Sequence, residues 1–99
     1  MFVELIFFKS KAGITDDVIE ASANKIQALA AGMGVPFKLE LLRTADGEWV
    51  EIVRWASQEE AQRVEQAVMG MPEAQDAMSV MDEASMRMIF LYPVKGEAQ

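Results

Sequence analysis

The feature that most constrains the fold is an Asp46-Gly47 pair between two alternating runs of residues. The first run, FKLELLRT, covers residues 37–44, and the second, WVEIVRWA, covers residues 49–56. Asp-Gly in this setting is the strongest short-range signal for a β-hairpin, because both residues tolerate the positive φ of a tight turn. The sequence therefore predicts two antiparallel strands joined by a two-residue turn.

Strand and helix signals on both sides of the hairpin complete the order of elements. β-Branched and aromatic residues predict strands at 2–9 and 85–94. Apolar residues recur every three or four positions after Thr15 and after Ser57, which predicts two helices with these residues as N-caps. Pro72 can begin a further short helix. The order βαββαβ predicts an α+β, ferredoxin-like domain, with a four-stranded antiparallel sheet and helices on one face.

The length of 99 residues fits a single domain, which we predict over residues 1–95, followed by a polar tail at 96–99. With 52% hydrophobic residues the chain has enough apolar surface for a core. A domain this small buries a modest share of its surface, so a second copy would add to its stability.

Composition excludes several classes of function. The chain has no cysteine and no histidine, which rules out thiolate chemistry and removes the commonest metal ligand and general base. We therefore predict no metal site and no cofactor. The net charge is −7 without a cluster of Lys or Arg, so nucleic acid and anionic membranes are poor partners. The first apolar run is too short to span a bilayer, and a cytoplasmic location is the default expectation.

A two-residue turn would pair Ala45 with Glu48 and divide the hairpin into two faces. The predicted core face carries Phe37, Leu39, Leu41, Val50, Ile52 and Ala56, with Arg43 and Arg54 near its margins. The other face carries Lys38, Glu40, Leu42, Thr44, Trp49, Glu51, Val53 and Trp55. Tryptophans mixed with charged residues are typical of interfaces and ligand cavities, so this second face is predicted to meet a partner.

Three segments carry a resemblance to a known family. ELLRTADGEWVEIVRWAS from Glu40 to Ser57, the EEAQ that follows, and the closing MRMIFL resemble the dimeric α+β barrel superfamily. Within it the sequence is most similar to small bacterial proteins related to antibiotic biosynthesis monooxygenases. The resemblance implies a homodimer with sheets packed face to face, and a pocket between the sheet and the helices of each subunit.

The resemblance also implies a range of activities. Some members oxidise aromatic polyketides without a cofactor, whereas haem-handling members generally need a histidine, which this chain lacks. The cofactor-free oxygenases line their pocket with Asn, Trp and Tyr. The residues of these types here are Asn24, Trp49, Trp55 and Tyr92. No catalytic residue is assigned from this likeness.

The candidate residues for a ligand pocket or a dimer face share aromatic, carboxylate, amide or thioether chemistry. They are Trp49, Glu51, Trp55, Asn24, Met78, Met81 and Tyr92. Each also has a plain structural interpretation. The tryptophans would pack in the dimer interface, Glu51 would pair with Arg87 or Lys38, and the methionines would fill the core.

Two functions follow from these observations. The first is binding of a small apolar or aromatic molecule, either alone or with activity as a cofactor-independent monooxygenase. The second is a non-catalytic homodimeric module whose sheet face is used only for dimerisation. An unfilled apolar cavity with a polar group inside would favour the first.

Overall fold

The computed structural model describes residues 1–35 and 38–95. Its elements are β1 (Phe2–Ser10), α1 (Asp16–Ala31), β2 (Lys38–Arg43), β3 (Trp49–Trp55), α2 (Gln58–Met69), α3 (Pro72–Met78) and β4 (Met81–Leu91). The predicted βαββαβ order is confirmed, with α3 as the short helix predicted after Pro72. Phe37, predicted to begin β2, and the polar tail at 96–99 lie outside the described residues.

The four strands form one antiparallel sheet in the order β2-β3-β1-β4. The first strand is therefore central, as its apolar sequence predicted. The pairing of β1 with β4 shifts register between Phe7 and Lys9. Met81 begins β4 opposite Ser10, although the sequence placed it on the short helix.

The helices cover one face of this sheet through small and branched side chains. Ile19, Ala23 and Ala30 of α1 are buried, as are Ala61, Val64 and Val68 of α2. Ser57 caps α2 by accepting a hydrogen bond from Glu60 N at 3.1 Å, as predicted. Thr15 occupies the N-cap of α1, but its side chain makes no capping hydrogen bond.

The predicted register of the β2–β3 hairpin is wrong by one residue. Thr44 O accepts a hydrogen bond from Gly47 N at 2.9 Å, and Thr44 N donates to Glu48 O at 2.8 Å. The loop therefore contains three residues, Ala45 to Gly47, with Gly47 at a φ of +87°. This geometry is that of a turn followed by a left-handed glycine, which is the usual three-residue hairpin loop.

The shift of register exchanges the two faces of β2 relative to β3. Leu39 lies opposite Val53, and Leu41 lies opposite Glu51. The face of β3 that carries Trp49, Glu51, Val53 and Trp55 is the one covered by the helices, not the one left open for a partner. A slip of one residue has this effect because side chains alternate between the faces of a strand.

The opposite face of the sheet is open and mostly apolar. Its apolar residues are Val3, Leu5, Phe7, Leu42, Val50, Ile52, Ile89 and Leu91. Charged residues stand at its margins: Arg54 forms an ion pair with Glu40 at one end, and Arg87 lies over the Phe7 ring, 4.3 Å from its centroid, at the other. This surface, which we call the open sheet face, has no helix packed on it.

Gly47 offers a direct test of this turn. Replacing Gly47 with Ala should lower the free energy of unfolding by about 1–2 kcal/mol, because an L-residue at positive φ brings Cβ against the backbone. Urea denaturation of the two proteins at equal concentration measures the change.

Gly70→Ala is the matched control. Gly70 has a φ of −79°, and an added Cβ would make only ordinary van der Waals contacts, with Ala67 O at 3.6 Å and Gln66 O at 3.8 Å. Its unfolding free energy should stay the same or rise. Equal losses in both variants would contradict the left-handed turn.

Candidate functional site

A cavity of about 300 Å³ lies between the sheet and the helices. Most of its walls are aliphatic or thioether side chains, contributed by every strand and every helix. The lining residues are Glu4, Ile6, Ile26, Ala30, Leu39, Glu51, Val53, Trp55, Val64, Glu65, Val68, Met69, Met78, Met81, Met86 and Met88. Such a volume and such an apolar lining are typical of sites for small organic molecules.

Three carboxylates interrupt the apolar wall. Glu4 lies on β1 opposite Val53, and Glu51 lies two positions from Val53 on the neighbouring strand, so both point to the same face. Glu65 reaches the cavity from α2, one residue after the buried Val64. The sheet register and the helix period together bring the three acidic groups into one pocket.

Glu4 is the most deeply buried of the three, with 1% of its surface exposed. Its Oε1 accepts a hydrogen bond from Trp55 Nε1 at 3.3 Å. Its Oε2 is buried and accepts no hydrogen bond from a nitrogen or hydroxyl donor of the residues described. A buried carboxylate oxygen without a donor is costly, and the group beside Glu4 that can donate to it is the Glu65 carboxyl in its protonated form.

Burial alters the acidity of the other two carboxyls. Desolvation, followed by the negative charge of Glu4, raises the pKa of Glu51 to about 7. The pKa of Glu65 is raised to about 8. The largest cause is desolvation by burial, followed by the hydrogen bond that protonated Glu65 makes to Glu4 and by the negative charge of Glu4. Near neutral pH the pocket therefore holds carboxyl groups that can take up or release a proton.

Four of the predicted candidates line this cavity: Glu51, Trp55, Met78 and Met81. The expectation that Trp55 and Glu51 face a partner is wrong, because the register turns them towards the helices. The proposed pairing of Glu51 with Arg87 or Lys38 is wrong for the same reason. Both basic residues lie on the opposite side of the sheet, and Arg87 instead approaches Glu48 at 3.4 Å.

The other three candidates lie away from the cavity walls. Trp49 shares the helix-covered face, but the guanidinium of Arg43 stacks on its ring at 3.8 Å. Asn24 is exposed on α1. Tyr92 is 60% exposed, packs edge-on against Phe2, and donates a hydrogen bond to Gln58 Oε1 at 2.9 Å.

Sequence reasoning missed Glu4 and Glu65 as site residues. Glu65 stands in the sequence close to Glu59 and Glu60, and acidic residues grouped in this way on a helix favour a solvated face. Its spacing gives a different signal, since it lies four positions after Ala61 and four before Met69, on the buried side of α2. The signal for Glu4 is its position as the one charged residue within the apolar run from Phe2 to Phe8.

The pocket is suited to proton transfer in an apolar environment. Among residues 1–35 and 38–95, no group of three or more His, Cys, Asp or Glu side chains is arranged to hold a metal ion. None of the helices in this part of the chain is long and apolar enough to cross a membrane. The available chemistry is that of carboxyl groups beside an indole.

The raised pKa of Glu51 predicts a specific dependence of stability on pH. A carboxyl whose pKa is higher in the folded state than its ordinary 4.5 stabilises the fold below pH 4.5, and this contribution is lost as pH rises through 7. Replacing Glu51 with Gln removes this pH-dependent contribution to stability. As pH rises from 5 to 8, the wild type should lose up to about 3 kcal/mol more unfolding free energy than the Glu51→Gln variant.

Urea denaturation at both pH values, at one protein concentration, measures this difference. Glu59→Gln is the control, because it makes the same chemical change at an exposed glutamate outside the cavity. The prediction fails if Glu51→Gln and the wild type change in parallel with pH.

The fold is shared with several solved structures. A variant of SnoaB, a cofactor-independent oxygenase from Streptomyces nogalater, superposes with a TM-score of 0.76 at 15% identity, over 99% of this chain and 97% of that one. An uncharacterised NIPSNAP domain protein from Burkholderia xenovorans gives 0.70 at 13% identity, over 95% of both chains. A protein from Nitrosomonas europaea, proposed to be an antibiotic biosynthesis monooxygenase, gives 0.66 at 13% identity over 96% and 100%.

No protein-family model matches the chain, and no curated protein sequence matches it. At such low identity the structural likeness shows the fold and leaves the activity to the residues of this chain. The predicted resemblance is confirmed at the level of the fold: this chain has the same ferredoxin-like fold as these solved structures.

Proposed function

We propose that the protein is a homodimer in which each subunit binds a small apolar or aromatic molecule and acts on it as a cofactor-independent monooxygenase. The observation that carries the proposal is the unfilled apolar cavity with Glu51 in its wall. A non-catalytic module would have no use for such a cavity, and its core would be expected to close around its own methionines.

The open sheet face supports the dimer. Ile89 and Leu91 are 39% and 42% exposed, and they continue an apolar surface that includes Leu5 and Ile52. A contiguous apolar surface of this kind is costly to expose in water. A second copy packed sheet to sheet would cover it, and the charges at its margins would remain at the rim.

Glu51 is suited to act as the general base. Its pKa of about 7 means that it is partly ionised at neutral pH and still basic enough to accept a proton. The walls are mostly aliphatic and thioether side chains, and an apolar environment of this kind strengthens electrostatic interactions inside the pocket.

The proposed reaction needs a substrate carbon made acidic by neighbouring aromatic rings or a carbonyl. Glu51 takes a proton from this CH₂ group, and the resulting carbanion transfers electrons to O₂ and forms a carbon–oxygen bond. The protonated peroxide then loses water to give a ketone. In the balanced reaction, CH₂ and O₂ become C=O and H₂O, so O₂ is the only oxidant required.

The comparison with SnoaB supports this assignment by analogy, since that protein is described as a cofactor-independent oxygenase. The analogy concerns the fold, and the catalytic role proposed here depends on Glu51 of this chain.

The dimer is tested by placing a charge on the open sheet face. Ile89→Glu should convert a dimer into a monomer of 11.0 kDa, because pairing the faces would bury an unpaired carboxylate. Light scattering coupled to size exclusion gives the mass.

Val18→Glu is the matched control, since Val18 on α1 is also β-branched and is 40% exposed. It should leave the mass at twice that of the chain. A monomeric wild type, or a dimeric Ile89→Glu variant, would contradict the proposed interface.

The activity is tested with a fused-ring ketone that has a methylene between two aromatic rings. The wild-type protein, freed of metals by chelation, should accelerate oxygen uptake and ketone formation. Glu51→Gln should lower this rate by about 100-fold or more, the usual contribution of a general base. Glu59→Gln should retain it. Equal rates for Glu51→Gln and the wild type would remove Glu51 from the mechanism, and no acceleration would reject the oxygenase assignment.

A further inference from the structure

The polar groups of the pocket are three carboxyl groups and one indole. Glu4, Glu51 and Glu65 contribute carboxyl groups, and no lysine or arginine of residues 1–35 and 38–95 lines the cavity. The indole N–H of Trp55 is a fixed donor, and it is already directed at Glu4. Any ligand that enters meets acidic groups without a basic partner.

The burial of the Glu4 carboxylate also favours a cationic ligand. Glu4 is 99% buried and lines the cavity, yet its Oε2 accepts no hydrogen bond from the nitrogen or hydroxyl donors in the described part of the chain. Most buried carboxylate oxygens have a partner, because an unmet acceptor in an apolar environment costs free energy.

A proton from Glu65 or a metal ion could also interact with the Glu4 carboxylate, but neither accounts for all the negative charge in the pocket. A proton on Glu65 can be shared with Glu4, but the pair then keeps one negative charge and Glu51 adds a second when it ionises. A metal ion would need a cluster of ligands, and the described residues contain no such group. A cationic donor on the ligand would supply both the charge and the N–H groups.

We infer that the pocket selects a ligand with a protonated amine at one end of a small apolar or aromatic body. The ammonium group donates to Glu4, the apolar body lies against the methionines, and Glu51 remains free to accept a proton. This inference rests on the proposed function in assuming that the cavity takes a small molecule, and it adds the class of that molecule. Ligands with a carboxylate head are rejected by repulsion.

Four probes with one ring system separate charge from shape. All four contain the naphthalene ring. Naphthalene has no polar group, 2-naphthalenemethanol has a neutral one, 2-naphthylmethylamine a cationic one and 2-naphthoate an anionic one. Calorimetric titration at pH 8 should rank affinity as amine, then alcohol, then hydrocarbon, then carboxylate. The amine should bind about tenfold or more tightly than the alcohol, the usual gain of a charge-assisted hydrogen bond.

Substitutions of the pocket carboxylates test whether they cause the preference for the amine over the alcohol. Glu4→Gln keeps the shape and removes the charge, so the advantage of the amine over the alcohol should fall to within about twofold, with hydrocarbon affinity unchanged. Glu65→Gln is a second variant should Glu4→Gln fail to fold, and it should reduce the same advantage. Glu20→Gln, on the exposed surface of α1, is the control and should change nothing.

The outcomes separate this inference from the proposal on which it rests. If naphthalene and the alcohol bind and the amine shows no advantage, the amine preference is wrong while the small-molecule pocket stands. If the carboxylate binds as well as the amine, the preference is also wrong. If none of the four probes binds, both the pocket function and the amine preference are rejected.

Discussion

The conformation of Gly47 determines which side chains of the hairpin the helices cover. By closing the loop at three residues, it places Leu39 and Leu41 opposite Val53 and Glu51. The separate register of β1 with β3 places Trp55 on the same face as Glu4 of the adjacent strand. A loop shorter by one residue would turn β2 over relative to β3, and Leu39 would leave the wall of the cavity.

The acidic pocket opposes the stability of the domain that contains it. Glu4 and Glu51 occupy positions where aliphatic residues would pack without desolvating a charge. The raised pKa of Glu51 is the measure of that penalty, since the fold resists its ionisation. Groups held at such a cost are common at functional sites, where unmet polar atoms are directed at a ligand.

The order of elements could be predicted from the sequence because it depends on local signals. Alternation, the Ser57 cap and the apolar spacing after Thr15 each act within a few residues. The register could not, because Asp-Gly is compatible with both a two-residue turn and a three-residue loop with a left-handed glycine. The assignment of Trp55 and Glu51 to one face of the sheet depended on that register. Glu65 was separately obscured by the acidic residues around it on α2.

The two faces of the sheet share their strands, and this connects the proposed dimer to the pocket. Along β3, Val50 and Ile52 of the open sheet face alternate with Glu51 and Val53 of the cavity wall. Side chains pinned by a partner on one face restrict the backbone that carries the other face. Pairing of the open faces would therefore hold Glu51 in a defined position next to Glu4. The dimer would supply the stability that the buried carboxylates remove from each subunit.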